Sequence, residues 1–174
     1  MCPAASGTLF AKLAQGFAEL TRAGLAAEPM PRMFAAQALG SSPIATAFAD
    51  DRGISRVTAT TGFASLAVGD PSHGDLAIGA ARATGGGIVA VAEEVIEENT
   101  ALLSDTTGIE ADCAGGAALG ALVEAVALGK IARGSRVVLV VTGARPEPVE
   151  SDVARVTTVA PDADDVLSAL GLRS

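Results

Sequence analysis

The feature that most restricts the fold is Val137-Val138-Leu139-Val140-Val141, five aliphatic residues in a row that stop at Thr142-Gly143. A strand with one wet face alternates polar and apolar side chains, so a run this continuous predicts a central parallel strand covered on both faces. In the preceding stretch Leu119, Leu122, Val123 and Val126 recur at three- and four-residue spacing and predict a helix with one buried stripe. Ala117, Ala118, Ala121 and Ala125 favour that helix, Gly115, Gly116 and Gly120 permit close backbone approach, and Gly129 or Gly134 supplies the stop. The expected class is α/β, three-layer, with a mostly parallel sheet and helices on both faces. Ligands of such sheets gather just beyond the carboxyl ends of the strands, which directs attention to Thr142.

Composition supports a packed core. Hydrophobic residues fill 49% of the 174 positions and charged residues 18%, a balance that excludes a disordered chain. With no Trp, no Tyr and an aromatic share of 3%, the core must be built from Ala, Val, Leu and Ile. The net charge of −8, with no basic cluster to overrule it, argues against nucleic acid and against an anionic membrane surface. Cys113 to Gly129 is the longest apolar passage, but Glu124 interrupts it, so it reads as a buried helix and not as a membrane span. The start of the chain lacks a basic, signal-like segment, and a cytoplasmic protein is expected. One His and two separated Cys suggest neither a metal site nor a disulfide framework.

Along the chain, Ser6 is the predicted N-cap of a helix that buries Phe10, Leu13, Ala14, Phe17 and Leu20 and stops at Gly24. A small-residue loop before a helix aims backbone N–H groups at one point and favours an anion there, although the same loop also makes an ordinary cap. Arg32 to Ala38 reads as a strand, Pro43 to Phe48 as a short helix, and Ile54 to Thr61 as a strand or an ordered loop. Asp75 starts a helix holding Leu76, Ile78 and Ala80. Gly85-Gly86-Gly87 then punctuates the chain before the strand Ile88 to Val91; lying before a strand, it is no dinucleotide fingerprint. A helix from about Ala92 to Leu103 turns Val95, Ile96, Leu102 and Leu103 inward. Its carboxylates Glu93, Glu94, Glu97 and Glu98 invite an acid–base reading, but they fall on the polar side of an amphipathic helix and read as a solvated face. Residues 1–143 form the main unit, and 144–174 an extension with a short helix over Asp162 to Leu170.

Several separated segments resemble the C-terminal part of fold type II pyridoxal-phosphate enzymes, most nearly the threonine synthase group. Pro3-Ala4-Ala5-Ser6-Gly7-Thr8-Leu9 is similar to that group's Pro-Val-Gly-(Asn/Ser)-Gly-Thr-Leu, with Ala5 replacing the first glycine. The strand ending in Gln37-Ala38, the Ser42-Pro43-Ile44 step and Phe63 to Pro71 are similar to its Val-Gln-Ala, Ala-Pro-Leu and Ile-Gly-X-Pro segments. Asp112-Cys113-Ala114-Gly115-Gly116-Ala117-Ala118-Leu119 resembles Glu-Pro-Ala-(Ser/Gly)-Ala-Ala-Leu, and Val137 to Gly143 resembles the strand that ends in Thr-Gly. The likeness stops there, since Ala144-Arg145-Pro146 replaces the usual continuation.

The resemblance implies that Ser6, Gly7, Thr8 and the backbone of Ala5 hold the cofactor's phosphate. It implies that the Thr142 hydroxyl bonds the pyridine nitrogen; the alternative for Thr142 is a strand-end residue satisfying a backbone group. Cys113, where the group has Pro, is a small buried residue or a thiol. No catalytic and no metal-binding residue is assigned. The Schiff-base lysine of the group lies in an N-terminal Ser-Phe-Lys-Asp-type motif, and neither Lys12 nor Lys130 matches it. The expectation is therefore a partial fold type II chain, the C-terminal half of a threonine synthase-like lyase. It would use pyridoxal phosphate and a small amino-acid substrate such as O-phosphohomoserine only when a companion N-terminal chain supplies the lysine. The alternative is a degenerate, non-catalytic half kept as a structural or binding partner. Both imply uncovered strand edges, hence a companion chain or a homo-oligomer.

Overall fold

The computed structural model describes residues 1–144 together with Asp162, Asp164, Leu167, Ser168 and Gly171. The helix expected over Asp162 to Leu170 lies, apart from isolated positions, outside the described residues. Three strands, β1 (Cys2–Pro3), β2 (Phe34–Ala38) and β3 (Gly87–Val91), form a parallel sheet in the order β1-β2-β3. Ala35 stands opposite both Cys2 and Ile88. Every residue of β2 is buried, as a strand flanked on both edges and covered on both faces must be.

Among the described residues five helices cover the sheet: α1 (Thr8–Arg22), α2 (Pro43–Ala49), α3 (Gly74–Ala83), α4 (Glu93–Thr107) and α5 (Cys113–Ala127). The two-residue period of the strands sorts them into layers. Ala35 and Ile88 share a cluster with Phe10 and Ala14 of α1, Ile44 of α2 and Ala77 and Ile78 of α3. Ala36, Ala38, Val89 and Val91 face the other way, against Ile96 of α4 and Ala114, Ala117 and Ala121 of α5. The result is the expected three-layer α/β arrangement.

The valine-rich run is not a central strand. The Met1 nitrogen donates to the Val138 carbonyl at 2.8 Å, and the Val140 N–H donates to the Met1 carbonyl at 3.0 Å, a parallel pattern on the outer side of β1. The inner side of β1 is already taken by β2, so residues 137–141 occupy an edge. Val138 is 74% exposed, and the backbone of Leu139 has no partner among the described residues.

The buried faces of the helices also differ from expectation, for one reason. α5 turns Ala114, Gly116, Ala117, Ala121 and Ala125 inward, whereas Leu119, Leu122 and Val126 are half-buried and Val123 is exposed. Close approach, not side-chain size, selects the face: a Cβ on Gly116 would run into Thr100 Oγ1 and lie 2.5 Å from the Ile96 carbonyl oxygen. α4 correspondingly buries Ile96, Asn99, Thr100 and Leu103, leaving Val95 and Leu102 outside. Asn99 and Thr100 tolerate this because their side chains donate to the Val95 and Ile96 carbonyls. Phe17 and Leu20 of α1 and Leu76 of α3 are likewise exposed.

Glycines in the left-handed conformation follow α1 (Gly24) and α5 (Gly129, the nearer of the two candidates). Ile54 to Thr61 is an ordered loop, held by Val57 N–H to the Gly69 carbonyl and Thr60 N–H to the Gly40 carbonyl. No helix among the described residues is long and apolar enough to cross a membrane.

Candidate functional site

Two chain segments leave the sheet side by side in the same direction. β1 runs into the loop Ala4 to Gly7, and the edge segment 137–141 runs into Thr142. Because the two are parallel neighbours, their carboxyl ends open on the same rim of the sheet. A cavity of about 290 Å³ lies there, lined by Pro3 to Leu9, Ser65, Leu66, Asp112, Ala114 and Thr142. All five residues singled out from the sequence, Ala5, Ser6, Gly7, Thr8 and Thr142, border this one space.

The loop is built to present donors. Gly7 caps α1 in the left-handed conformation with φ 81°, and no side chain caps the helix, so Ser6 is not the N-cap expected for it. The N–H groups of Leu9 and Phe10 consequently find no acceptor among the described residues. An uncapped N-terminus of a 15-residue helix favours an anion, and no acidic side chain in its first turn competes. The Ser6 and Thr8 hydroxyls stand 3.0 Å apart beside it.

Buried Gln37 holds this loop to the rest of the fold. Its Nε2 donates to the Ala5 carbonyl at 3.2 Å, while its Oε1 accepts from the Ile44 and Ala45 N–H groups at 2.9 Å each. One amide thus ties the loop to the start of α2 and satisfies that helix's first donors. Asp112 does the corresponding work on the opposite wall. Its Oδ1 accepts from the Ala114 and Gly115 N–H groups and caps α5, and its N–H donates to the Gly143 carbonyl at 3.0 Å, fixing the turn that carries Thr142.

His73 does not line the cavity but holds the loop that does, a role the sequence pattern does not display. Its N–H donates to the Ser6 carbonyl at 3.0 Å, and its Nδ1 meets Thr8 Oγ1 at 2.9 Å and Ser72 Oγ at 3.1 Å. The contact joins residues 65 positions apart, a distance that no spacing pattern encodes. Its one sequence signal is position, two residues after Gly69-Asp70-Pro71.

Other candidates fall away from the cavity. Lys12 is exposed on α1 and donates to Gln15, and Lys130 follows α5; neither lines the site. Glu94, Glu97 and Glu98 are exposed, but Glu93 is a clamp and not part of a solvated face. It accepts from Gly40 N–H and from the Thr61 hydroxyl, pinning two loops. No group of three or more His, Cys, Asp or Glu among the described residues is arranged to hold a metal ion.

The cavity lining thus combines the uncapped N-terminus of α1, the Ser6 and Thr8 side chains and, from the neighbouring segment, Thr142. Among the described residues no lysine lines this cavity. Comparison with known proteins gives this chemistry a context. Residues 1–143 match the family model described as pyridoxal-phosphate dependent enzyme. Threonine synthases of Mycobacterium bovis and Mycobacterium leprae are each 29% identical over 161 residues, 91% of this chain but 43% of their own length. Among solved structures, a threonine deaminase from T.th. superposes with a TM-score of 0.55 at 24% identity, over 72% of this chain and 43% of that one. Maize serine racemase gives 0.57 at 20%, over 74% and 38%. The chain spans less than half the length of the relatives it matches.

Proposed function

The chain belongs to the pyridoxal-phosphate dependent enzyme family, and on that premise we propose that it is the C-terminal part of a threonine synthase-like lyase, completed by a second polypeptide segment. The carrying observation is the convergence of the loop Ala5 to Thr8 and of Thr142 on one cavity. In this reading the helix N–H groups and the Ser6 and Thr8 hydroxyls bind the phosphate, and Gln37 orients the loop. Thr142 bonds the pyridine nitrogen through a neutral hydroxyl, which leaves that nitrogen without the proton a carboxylate would hold there. Pyridoxal phosphate, when bound, supplies an electron sink for bonds made and broken beside an amino acid's α-carbon.

The reaction also needs an amine to carry the cofactor, and Lys12 and Lys130 are both away from the cavity. The missing segment supplies it. Supporting this division, the chain aligns with only 43% of the mycobacterial threonine synthases. An apolar groove of about 480 Å³, with Leu13, Phe17, Val138 and Val140 in its lining, also runs beside the open backbone of Leu139. The substrate class that follows is a small amino acid with a leaving group, O-phosphohomoserine or a relative.

Reconstitution tests the proposal. Mixing the chain with the N-terminal part of a mycobacterial threonine synthase should restore the absorbance of lysine-bound cofactor and release phosphate from O-phosphohomoserine. If the mixture neither associates nor changes the cofactor spectrum, the proposal fails.

A further inference from the structure

We propose that His73 is a positioning residue that sets the direction of the hydroxyl relay at the phosphate loop; the inference rests on the reading of that loop as an anion site. Thr8 Oγ1 lies between two partners, His73 Nδ1 at 2.9 Å and Ser6 Oγ at 3.0 Å. Each hydroxyl owns one proton, so the contact between Thr8 and His73 can run in two senses. If Nδ1 carries the proton, it donates to Thr8 Oγ1. The Thr8 proton passes to Ser6 Oγ or to the cavity, and a hydroxyl proton faces the anion. If Nδ1 is a lone pair, Thr8 donates to it, and the Thr8 oxygen has only lone pairs left for Ser6 and the cavity. The first sense adds a hydroxyl proton to the helix N–H groups that face a phosphate, and the second withholds it. Hydrogen bonds in series polarise one another, so the tautomer of one imidazole is felt two residues away.

The backbone of His73 supports this role independently of its ring. Its N–H holds the Ser6 carbonyl, and its carbonyl accepts from Ala77 N–H as part of the start of α3. The ring is thus delivered to Thr8 by a fixed point of the fold. Ser72 Oγ, at 3.1 Å from the same nitrogen, is exposed and has solvent for its own proton.

Calorimetric titration of the full chain with inorganic phosphate tests the inference. His73→Leu keeps the volume and removes the donor, whereas His73→Asn places an amide donor near the position of Nδ1. The expected result is a loss of affinity of at least about fivefold for H73L, consistent with one lost donor, and a value within about twofold of the parent for H73N. In a Thr8→Val background, H73L should add no further loss. Because the chain holds a single His, its imidazole nitrogen spectrum has one pair of signals, and these should report a protonated Nδ1 with phosphate present. Parent chain that binds no phosphate overturns the anion site together with this inference. Phosphate binding by the parent with equal affinities for H73L and H73N, or a lone pair at Nδ1, overturns the role of His73 alone. Should H73L fail to fold, the nitrogen spectrum and H73N still decide the matter.

Discussion

The carbonyl oxygen of His73 lies so close beneath Gly7 that a Cβ built there would sit 2.8 Å from it. Gly7 also has φ 81°, where side chains other than hydrogen are strained. Gly7→Ala should therefore cost about 2 kcal/mol in urea unfolding and abolish phosphate binding, because the loop must move off His73 to admit the methyl group. Unchanged binding in a folded G7A chain would remove the loop from the site.

Gln37 separates stability from binding. Gln37→Leu strands the Ile44 and Ala45 N–H groups and the Ala5 carbonyl, and should cost roughly 3 kcal/mol. Gln37→Glu keeps both acceptor contacts to α2 but sets an oxygen against the Ala5 carbonyl. It should weaken phosphate binding more than it lowers the melting temperature, a contrast readable by calorimetry and thermal melts on the same samples.

Gly116→Ala should destabilise by about 1–3 kcal/mol through overpacking between α4 and α5. Adding Thr100→Ala should recover only part of this, because the Ile96 carbonyl, 2.5 Å from the new Cβ, remains. Chemical denaturation of the single and double variants measures the coupling.

Burial pushes the Cys2 thiol up to about 11. The folded state therefore keeps a proton that the unfolded state releases, and stability should be lost as pH rises from about 9 to 11. Thermal melts across that range should show a downward slope for the parent chain and a flatter one for Cys2→Ala. At pH 8 the thiol, 2% exposed, should also resist alkylation until the chain unfolds.

Val138, 74% exposed on the open edge, is the place to disturb association without disturbing the fold. Val138→Lys should leave the melting temperature within a degree or two and reduce binding of a complementing segment, or self-association, as read by light scattering. Equal association of parent and V138K would place the contact elsewhere.

How much of this was legible beforehand depended on the kind of interaction. Strands β2 and β3, the start of α5 at Asp112 and the stops at Gly24 and Gly129 rest on local chemistry, which a sequence displays. The loop residues 5–8 and Thr142 were visible through family likeness. The buried faces were not: reading large aliphatics as core misassigns α5, where Ala117 and Gly116 touch neighbours and Val123 faces out. The run 137–141 misled in the same way, since aliphatic continuity alone does not tell a central strand from an edge. His73 required the fold itself, because only α3's placement against α1 brings it to Thr8.

The seam between Met1 and Val138 joins positions 137 apart. Closing so long a loop costs chain entropy for two backbone bonds, so this seam should be the pairing of the sheet that opens most readily. The cavity's two walls stand on either side of it. A molecule gripping both walls at once would act as a latch, and its arrival should be recorded as slowed deuterium uptake at Val140, two residues back from Thr142.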